Sequence, residues 1–175
     1  MVMKSKLFAS LLGLGMLMCA GNAFAEPECV TAFGKTACGY NCVSGYGDVK
    51  CARTPQGECT KAYGDIVCWD PDIYTYQKAE CVNAYGDIVC GYDCVSAYGQ
   101  IKCAQTPDGA CTHAYGDVVC WDPSYRTYQK AECVEAYGEI ACGYNCVAAY
   151  GEVKCAGTPN SVCRSEFGTI NCYEF

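Results

Sequence analysis

The residues with the most reactive side chains in this sequence are cysteines, and their spacing follows a strict rule. The chain has 175 residues and 19 cysteines, eighteen of which lie between Cys29 and Cys172. Successive cysteines in that stretch are 9, 4, 9, 8, 9 and 13 residues apart, and the series then repeats. Thiols at this density could bind metal, carry out redox exchange or form disulfides.

The spacing favours disulfides. Redox-active pairs and zinc sites commonly use Cys-x2-Cys, whereas the closest pairs here are Cys-x3-Cys. A metallothionein-like thiolate cluster stays open as an alternative. The favoured pairing closes each Cys-x8-Cys unit on itself, and pairing between units is the competing arrangement. The candidate disulfide residues are Cys29, Cys38, Cys42, Cys51, Cys59, Cys68, Cys81, Cys90, Cys94, Cys103, Cys111, Cys120, Cys133, Cys142, Cys146, Cys155, Cys163 and Cys172.

The sequence offers little for catalysis. The sole histidine is His113, at the third position of a Cys-x8-Cys unit. The residue type at this position varies among the nine units, which predicts an exposed side chain without a function. A nucleophilic hydrolase needs a base beside its nucleophile, and no such pair is singled out. We therefore predict a protein that is not an enzyme, with no catalytic residue and no cofactor.

Carboxylates recur directly after a glycine in six of the nine units, as in Gly86-Asp87. Calcium prefers clustered oxygen ligands, so a calcium-binding secreted protein is a weaker alternative. Polar turn residues explain the column equally, and we assign no metal ligand.

The cysteine series divides the chain into repeats. Residues 1–25 precede them, and the repeats cover 26–80, 81–132 and 133–175, the last being truncated like a cap. The repeat period is 52 residues, and each repeat contains three Cys-x8-Cys units. We predict an all-β, disulfide-rich repeat protein of nine short hairpins, arranged as a linear solenoid or closed with pseudo-threefold symmetry.

Every unit has an aromatic residue followed by glycine at its centre, as in Tyr85-Gly86. The glycine predicts a tight turn with positive φ. A two-residue loop on this pair places the two cysteines of a unit opposite each other at a non-hydrogen-bonded site, where the strands approach most closely. The aromatic side chains are predicted to pack inside the protein.

The aromatic residues also suggest a binding surface as an alternative. Tyrosine stands at the centre of seven of the nine units, the links between units carry Tyr40, Tyr92 and Tyr144, and Trp69 and Trp121 occupy matching places. Amphipathic rings on a rigid frame could stack on sugars or contact a protein partner. Alternatively, they fill the space that Leu and Met would fill, since residues 26–175 contain neither.

The first 25 residues predict export. Lys4 and Lys6 precede an apolar stretch too short to span a bilayer, and Ala23-Phe24-Ala25 fits a cleavage site. A lipid anchor on Cys19 is disfavoured because Met18 is not small. Cleavage leaves 10 basic and 19 acidic residues, a balance that disfavours nucleic acid. We predict a secreted or periplasmic structural or interaction protein that does not insert in membranes. Its partner would be a protein, a glycan or cell-wall surface, or another copy of itself.

Overall fold

The computed structural model describes residues 26–72 and 75–175, so the predicted signal segment at 1–25 lies outside the described residues. The described chain is all-β. Its strands are β1 Glu28–Ala32, β2 Lys35–Gly45, β3 Asp48–Ala52, β4 Glu58–Ala62, β5 Asp65–Trp69, β6 Glu80–Ala84, β7 Asp87–Ala97, β8 Gln100–Ala104, β9 Ala110–Ala114, β10 Asp117–Trp121, β11 Glu132–Ala136, β12 Glu139–Ala149, β13 Glu152–Ala156, β14 Val162–Glu166 and β15 Thr169–Tyr173.

Each Cys-x8-Cys unit forms one antiparallel hairpin closed by its own disulfide. All nine predicted bridges are present, from Cys29–Cys38 in the first hairpin to Cys163–Cys172 in the ninth. The paired Cα atoms are 4.0–4.1 Å apart, which is the close approach of a non-hydrogen-bonded site. The predicted register and pairing within units are therefore confirmed.

The hairpin turns are two-residue loops in which both residues have positive φ. At Tyr85-Gly86 the φ angles are 55° and 90°, and Ala84 pairs with Asp87 on either side. This is the geometry of a type I′ turn, whose twist matches that of the flanking strands. Glycine adopts it without steric conflict, as the repeated glycine predicts.

The long strand of each repeat, β2, β7 or β12, serves two hairpins and folds back on itself. In β2 the register shifts between Tyr40 and Val43, and Asn41 has φ 48°. Eleven extended residues would span about 36 Å, yet the Lys35 ammonium at one end of β2 lies 3.1 Å from the Asp48 carboxylate just beyond the other. The turns of the first two hairpins therefore lie side by side.

The fold-back explains the recurring Gly-Tyr-Asn and Gly-Tyr-Asp links. A Cβ atom on Gly39 would collide with the carbonyl oxygen of Ala52, so only glycine fits there. The Asn41 side-chain amide donates to the Gly57 carbonyl at 2.6 Å. In the second repeat, Asp93 instead accepts from the Cys111 amide at 2.8 Å. The link thus bends the strand and fastens it to the third hairpin.

Successive hairpins stack face to face. Because side chains alternate across a strand, each hairpin has one face that carries the disulfide, here called the disulfide face, and an opposite face. In one core cluster, Cys163 and Ile170 of the ninth hairpin pack against Val147 and Ala149 on the opposite face of the eighth. The disulfide face of one hairpin thus covers the opposite face of the hairpin before it.

The stack is linear. The hydrogen-bonded sheets alternate between three and two strands along the chain and do not close on each other. In the described part of the chain, substantial strand contacts join only the same hairpin or consecutive ones. Of the two arrangements left open by the sequence, the molecule adopts the solenoid, in which each unit contacts only its neighbours.

A linear stack leaves one uncovered face at each end. On the first hairpin this is the disulfide face, where Thr36 is exposed. On the ninth it is the opposite face, where Arg164 and Asn171 are exposed. At Thr36 and Arg164 the two ends therefore present polar side chains where most other hairpins carry Ile or Val.

Candidate functional site

Nine aromatic rings stand on the hairpin turns and are called the tip rings. The side chains are Phe33, Tyr46, Tyr63, Tyr85, Tyr98, Tyr115, Tyr137, Tyr150 and Phe167. Eight of them are 56–62% exposed, and Phe167 is fully exposed. The prediction that these rings pack inside the protein is therefore wrong. A residue in the turn has left the ladder, so its side chain points away from the stack rather than onto a neighbouring hairpin.

The tip rings occupy an unfavourable backbone conformation. All nine residues have φ between 50° and 55°. In the left-handed region the Cβ of an L-residue crowds the backbone, at about 1–2 kcal/mol per residue, and only Gly, Asn and Asp adopt it readily. Asn-Gly or Asp-Gly would serve this turn better. The rings thus contribute neither turn stability nor core packing.

The tips share one edge of the molecule, here called the tip edge. Between the second and third hairpins, Lys61 donates to the Ser44 carbonyl at 2.8 Å, and both residues lie two positions before a tip ring. Between the fifth and sixth, the rings of Tyr98 and His113 lie 6.0 Å apart. These contacts, with the Lys35–Asp48 pair described above, show that neighbouring turns project in the same direction.

Acidic side chains line the tip edge beside the rings. Asp65 and Asp117 follow their tip glycines, with side chains 72% and 60% exposed. Lysines of the preceding hairpins, Lys50 and Lys102, approach them at 3.6 and 3.7 Å. Exposed pairs of this kind stabilise the fold little. The hydrogen bond from Lys35 holds the pKa of the Asp48 carboxyl below its usual value, so Asp48 is charged at neutral pH.

Four of the predicted binding residues lie in core clusters instead. Tyr92 is 4% exposed and packs edge-on against Trp69, with ring centroids 5.6 Å apart. Tyr144 is 1% exposed and packs in the same way against Trp121, also at 5.6 Å. Burial leaves Tyr92 and Tyr144 no free ring face for a ligand. These pairs join the third hairpin of one repeat to the first link of the next.

Tyr40 and His113 take more exposed positions. Tyr40 stands where Tyr92 and Tyr144 stand in the later repeats, and it is half-buried. His113 is exposed on the sixth hairpin beside Tyr98. The structure brings none of the predicted residues together into a pocket.

An aspartate that follows the third hairpin of a repeat fastens the Thr-Pro turn that follows the second hairpin. The Asp70 carboxylate accepts hydrogen bonds from the amides of Arg53 and Thr54, both at 2.8 Å. Asp122 holds Gln105 and Thr106 in the same way. The Asp-Pro residues that follow the strands ending at Trp69 and Trp121 therefore belong to loops that fix the Thr-Pro turn.

A concave surface lies beside the tips. An open cleft of about 420 Å³ lies between the tips of the fourth and fifth hairpins, lined by Asp87, Val89, Gln100, Ile101 and Lys102 among others. Within residues 26–72 and 75–175, no group of three or more His, Cys, Asp or Glu side chains is arranged to hold a metal ion. The same residues include no helix long and apolar enough to cross a membrane.

Comparison with known proteins gives no relative: no family model, curated protein or solved structure matches this chain. The fold and the tip edge are therefore the basis for assigning a function.

Proposed function

We propose that this chain is an exported, non-catalytic interaction protein that contacts its partner through the tip rings. The nine disulfides are typical of an oxidising compartment outside the cytoplasm. The stapled hairpins act as a rigid frame, and the function is multivalent binding along the tip edge.

One observation carries the proposal. All nine turns place a large aromatic ring at positive φ and expose it to solvent. An unfavourable conformation that also exposes apolar surface is retained at every copy, although asparagine would relieve both. Strained backbone conformations and residues that do not suit their local structure are expected at functional sites.

Repetition supports binding over catalysis. A catalytic centre gathers different groups in one place, whereas these tips repeat one group nine times. Several weak, equivalent contacts on one partner give high avidity without any single strong site. The recurrence of the same aromatic-Gly pair at every tip fits this mode of action.

The test compares a tip variant with a matched control. In the tip variant, Tyr63, Tyr85, Tyr98 and Tyr115 are each changed to Asn, which suits the turn. The control is Tyr125→Asn, because Tyr125 is 56% exposed but lies in a loop away from the tips.

Both variants and the parent chain are tested by pull-down on cellulose particles, on beads carrying a Lys/Arg peptide and on beads carrying a Glu peptide. We expect the parent and the control to bind at least one surface, and the tip variant to lose at least about tenfold in retention. Equal retention of the tip variant on every bound surface would overturn the proposal.

A further inference from the structure

We propose that the tip edge binds an extended basic polypeptide, whose Lys and Arg side chains lie against the tip rings. This inference rests on the proposed function and names the chemistry of the partner. Three features of the molecule lead to it: the electronic character of the rings, the charge beside them and their linear arrangement.

The first feature is that a free aromatic face attracts a cation. The quadrupole of a phenol ring places negative potential over its face, and arginine is the cation most often found there. Within residues 26–72 and 75–175, no tip ring has a cation of this chain over its face. The tip rings are thus available to cations from a partner.

The molecule contains one example of the contact. Tyr128 lies in the loop before the third repeat and has φ 57°, close to the φ of the tip rings. Its side chain is 83% exposed, more than those of eight of the nine tip rings. The guanidinium carbon of Arg126 lies 4.9 Å from its ring centroid. An exposed tyrosine in this backbone conformation therefore accepts a stacked guanidinium, which is planar and weakly hydrated.

The second feature is charge. Six of the nine tip glycines are followed by Asp or Glu, and the whole chain carries a net charge of −7. Lysine ammonium groups of this chain lie 3.1–3.7 Å from four of these carboxylates, those of Asp48, Asp65, Asp117 and Glu152. The net negative charge of the chain still attracts a cationic partner and repels both nucleic acid and a second copy. The acidic rim thus selects a basic partner and disfavours self-association through the tips.

The third feature is the arrangement of the rings in a row. A small cation would occupy one ring, whereas an extended chain with repeated basic residues can contact several in succession. Each contact is weak at an exposed site, about 0.5–1 kcal/mol, so useful affinity requires several together. A flexible polypeptide meets this requirement, since its side chains can adjust to the spacing of the tips.

The experiment measures fluorescence anisotropy of a labelled peptide of about 20 residues in which Arg or Lys alternates with Gly. The matched probe replaces every basic residue with Gln. We expect the parent chain to bind the basic peptide at least about tenfold more tightly than the Gln peptide. Raising NaCl from about 0.05 M to about 0.5 M should weaken the binding several-fold because exposed charges are screened.

Two variants separate the contributions. Asp65→Asn, Asp87→Asn and Asp117→Asn in one chain remove tip charges, and the four-site Tyr→Asn variant removes tip rings. We expect each to lose about fivefold or more in affinity for the basic peptide, while Tyr125→Asn binds as the parent does. Near-ultraviolet circular dichroism and a thiol count confirm that each variant is folded and fully bridged.

The outcomes distinguish this inference from the proposed function. If the basic peptide binds no better than the Gln peptide while tip rings are still needed for cellulose, the partner is a neutral glycan and this inference is wrong. If basic-peptide binding survives loss of the rings, the contact is purely electrostatic and the inference also falls. If the tip variant matches the parent on every probe, the proposed function fails as well.

Discussion

At the scale of single residues, the turns contain two neighbours with opposite requirements. Gly86 has φ 90° and no atom within 4 Å of where a Cβ would stand. A side chain there meets open space, so the conflict is with its own backbone. Tyr85 already experiences a similar conflict at φ 55°. Stability and binding therefore depend on different members of the same pair.

Gly86→Val should destabilise the protein by more than about 1 kcal/mol, because a β-branched residue is strained at positive φ. Tyr85→Asn should leave the free energy of unfolding unchanged or raise it by up to about 1 kcal/mol, because asparagine suits this turn position. Urea unfolding of both variants without reductant measures the difference. A destabilised Tyr85→Asn would show that the ring supports the fold, which contradicts our interpretation of the tips.

Burial has a consequence for the pH dependence of stability. It raises the pKa of the Tyr92 hydroxyl above its ordinary value, and Thr75 and Arg126 oppose the change only in part. The neutral phenol is favoured in the folded chain, so its contribution is complete below about pH 10, the unfolded value. That contribution is lost as the pH rises through the folded pKa.

We therefore expect Tyr92→Phe to reduce the loss of stability in alkaline solution relative to the parent chain. Thermal unfolding at about pH 8 and about pH 10.5 provides the comparison, with Tyr85→Phe as the exposed control. Identical alkaline losses in parent and Tyr92→Phe would rule out a contribution from this hydroxyl.

At the scale of secondary-structure elements, the sequence predicts the hairpins well because each is defined locally. A fixed step of nine residues between cysteines, with the aromatic-Gly pair at its centre, leaves one register for a two-residue turn. The direction of the tip rings could not be obtained in this way. It depends on whether the aromatic residue belongs to the ladder or to the turn, and the recurrence of an aromatic residue indicated packing.

The fold-back of β2, β7 and β12 could not be predicted from the sequence either. The Gly-Tyr-Asx link was visible as a recurring feature, but its meaning depends on the close approach of Gly39 to Ala52 from the next strand. The burial of Tyr92 and Tyr144 follows from the same bend. Non-local contacts of this kind leave no periodic signal, so the rings that stack on tryptophan were predicted as a binding surface.

The junction between repeats makes Trp69 a structural residue. Its ring packs on Tyr92 beside Ala79 and Ala104. Trp69→Ala should reduce stability by on the order of 3 kcal/mol, since it removes a large ring from a packed cluster. Binding by the folded variant should be unaffected. If the Trp69→Ala variant unfolded like the parent but bound more weakly, Trp69 would be a binding residue and not a structural one.

The bridges predict a chemical result that does not depend on function. Denatured, unreduced protein beginning at Glu26 should contain no titratable thiol, because its eighteen cysteines are all paired. Peptide mapping should recover partners nine residues apart, including Cys111–Cys120. Recovery of Cys38 joined to Cys42 would refute the hairpin register.

At the scale of the whole molecule, the departures from the repeat occur at its two ends. The eighth position of each unit lies on the disulfide face and is Ile or Val in eight hairpins, with Ile66 and Val118 buried by the preceding hairpin. In the first hairpin Thr36 takes this place, and its side chain is exposed. On the opposite face, the second position of each unit is Val or Thr and the fourth is Ala or Gly. The ninth hairpin is the exception, with Arg164 at the second position and Glu166 at the fourth.

We expect these substitutions to oppose further growth of the stack, because each end face is of the kind that pairs at internal junctions. The disulfide face of one hairpin fits the opposite face of the one before it, so the two ends of the molecule are complementary in shape. A head-to-tail contact of this type does not close and would produce filaments. Burying Arg164 and Glu166 without partners would be unfavourable, and Thr36 offers little apolar surface in return.

Removing the polar ends should therefore convert the protein into a polymer. The variant Thr36→Ile, Arg164→Thr and Glu166→Ala gives both end faces the residues of an internal junction, as at Thr60 and Ala62. We expect concentration-dependent growth in analytical ultracentrifugation and light scattering, while the parent chain shows no such growth. The single-end variant Thr36→Ile serves as the control, since one matched face should not sustain a filament. If the triple variant remains folded and sediments like the parent, the polar end residues do not prevent stacking between molecules, and this prediction is wrong.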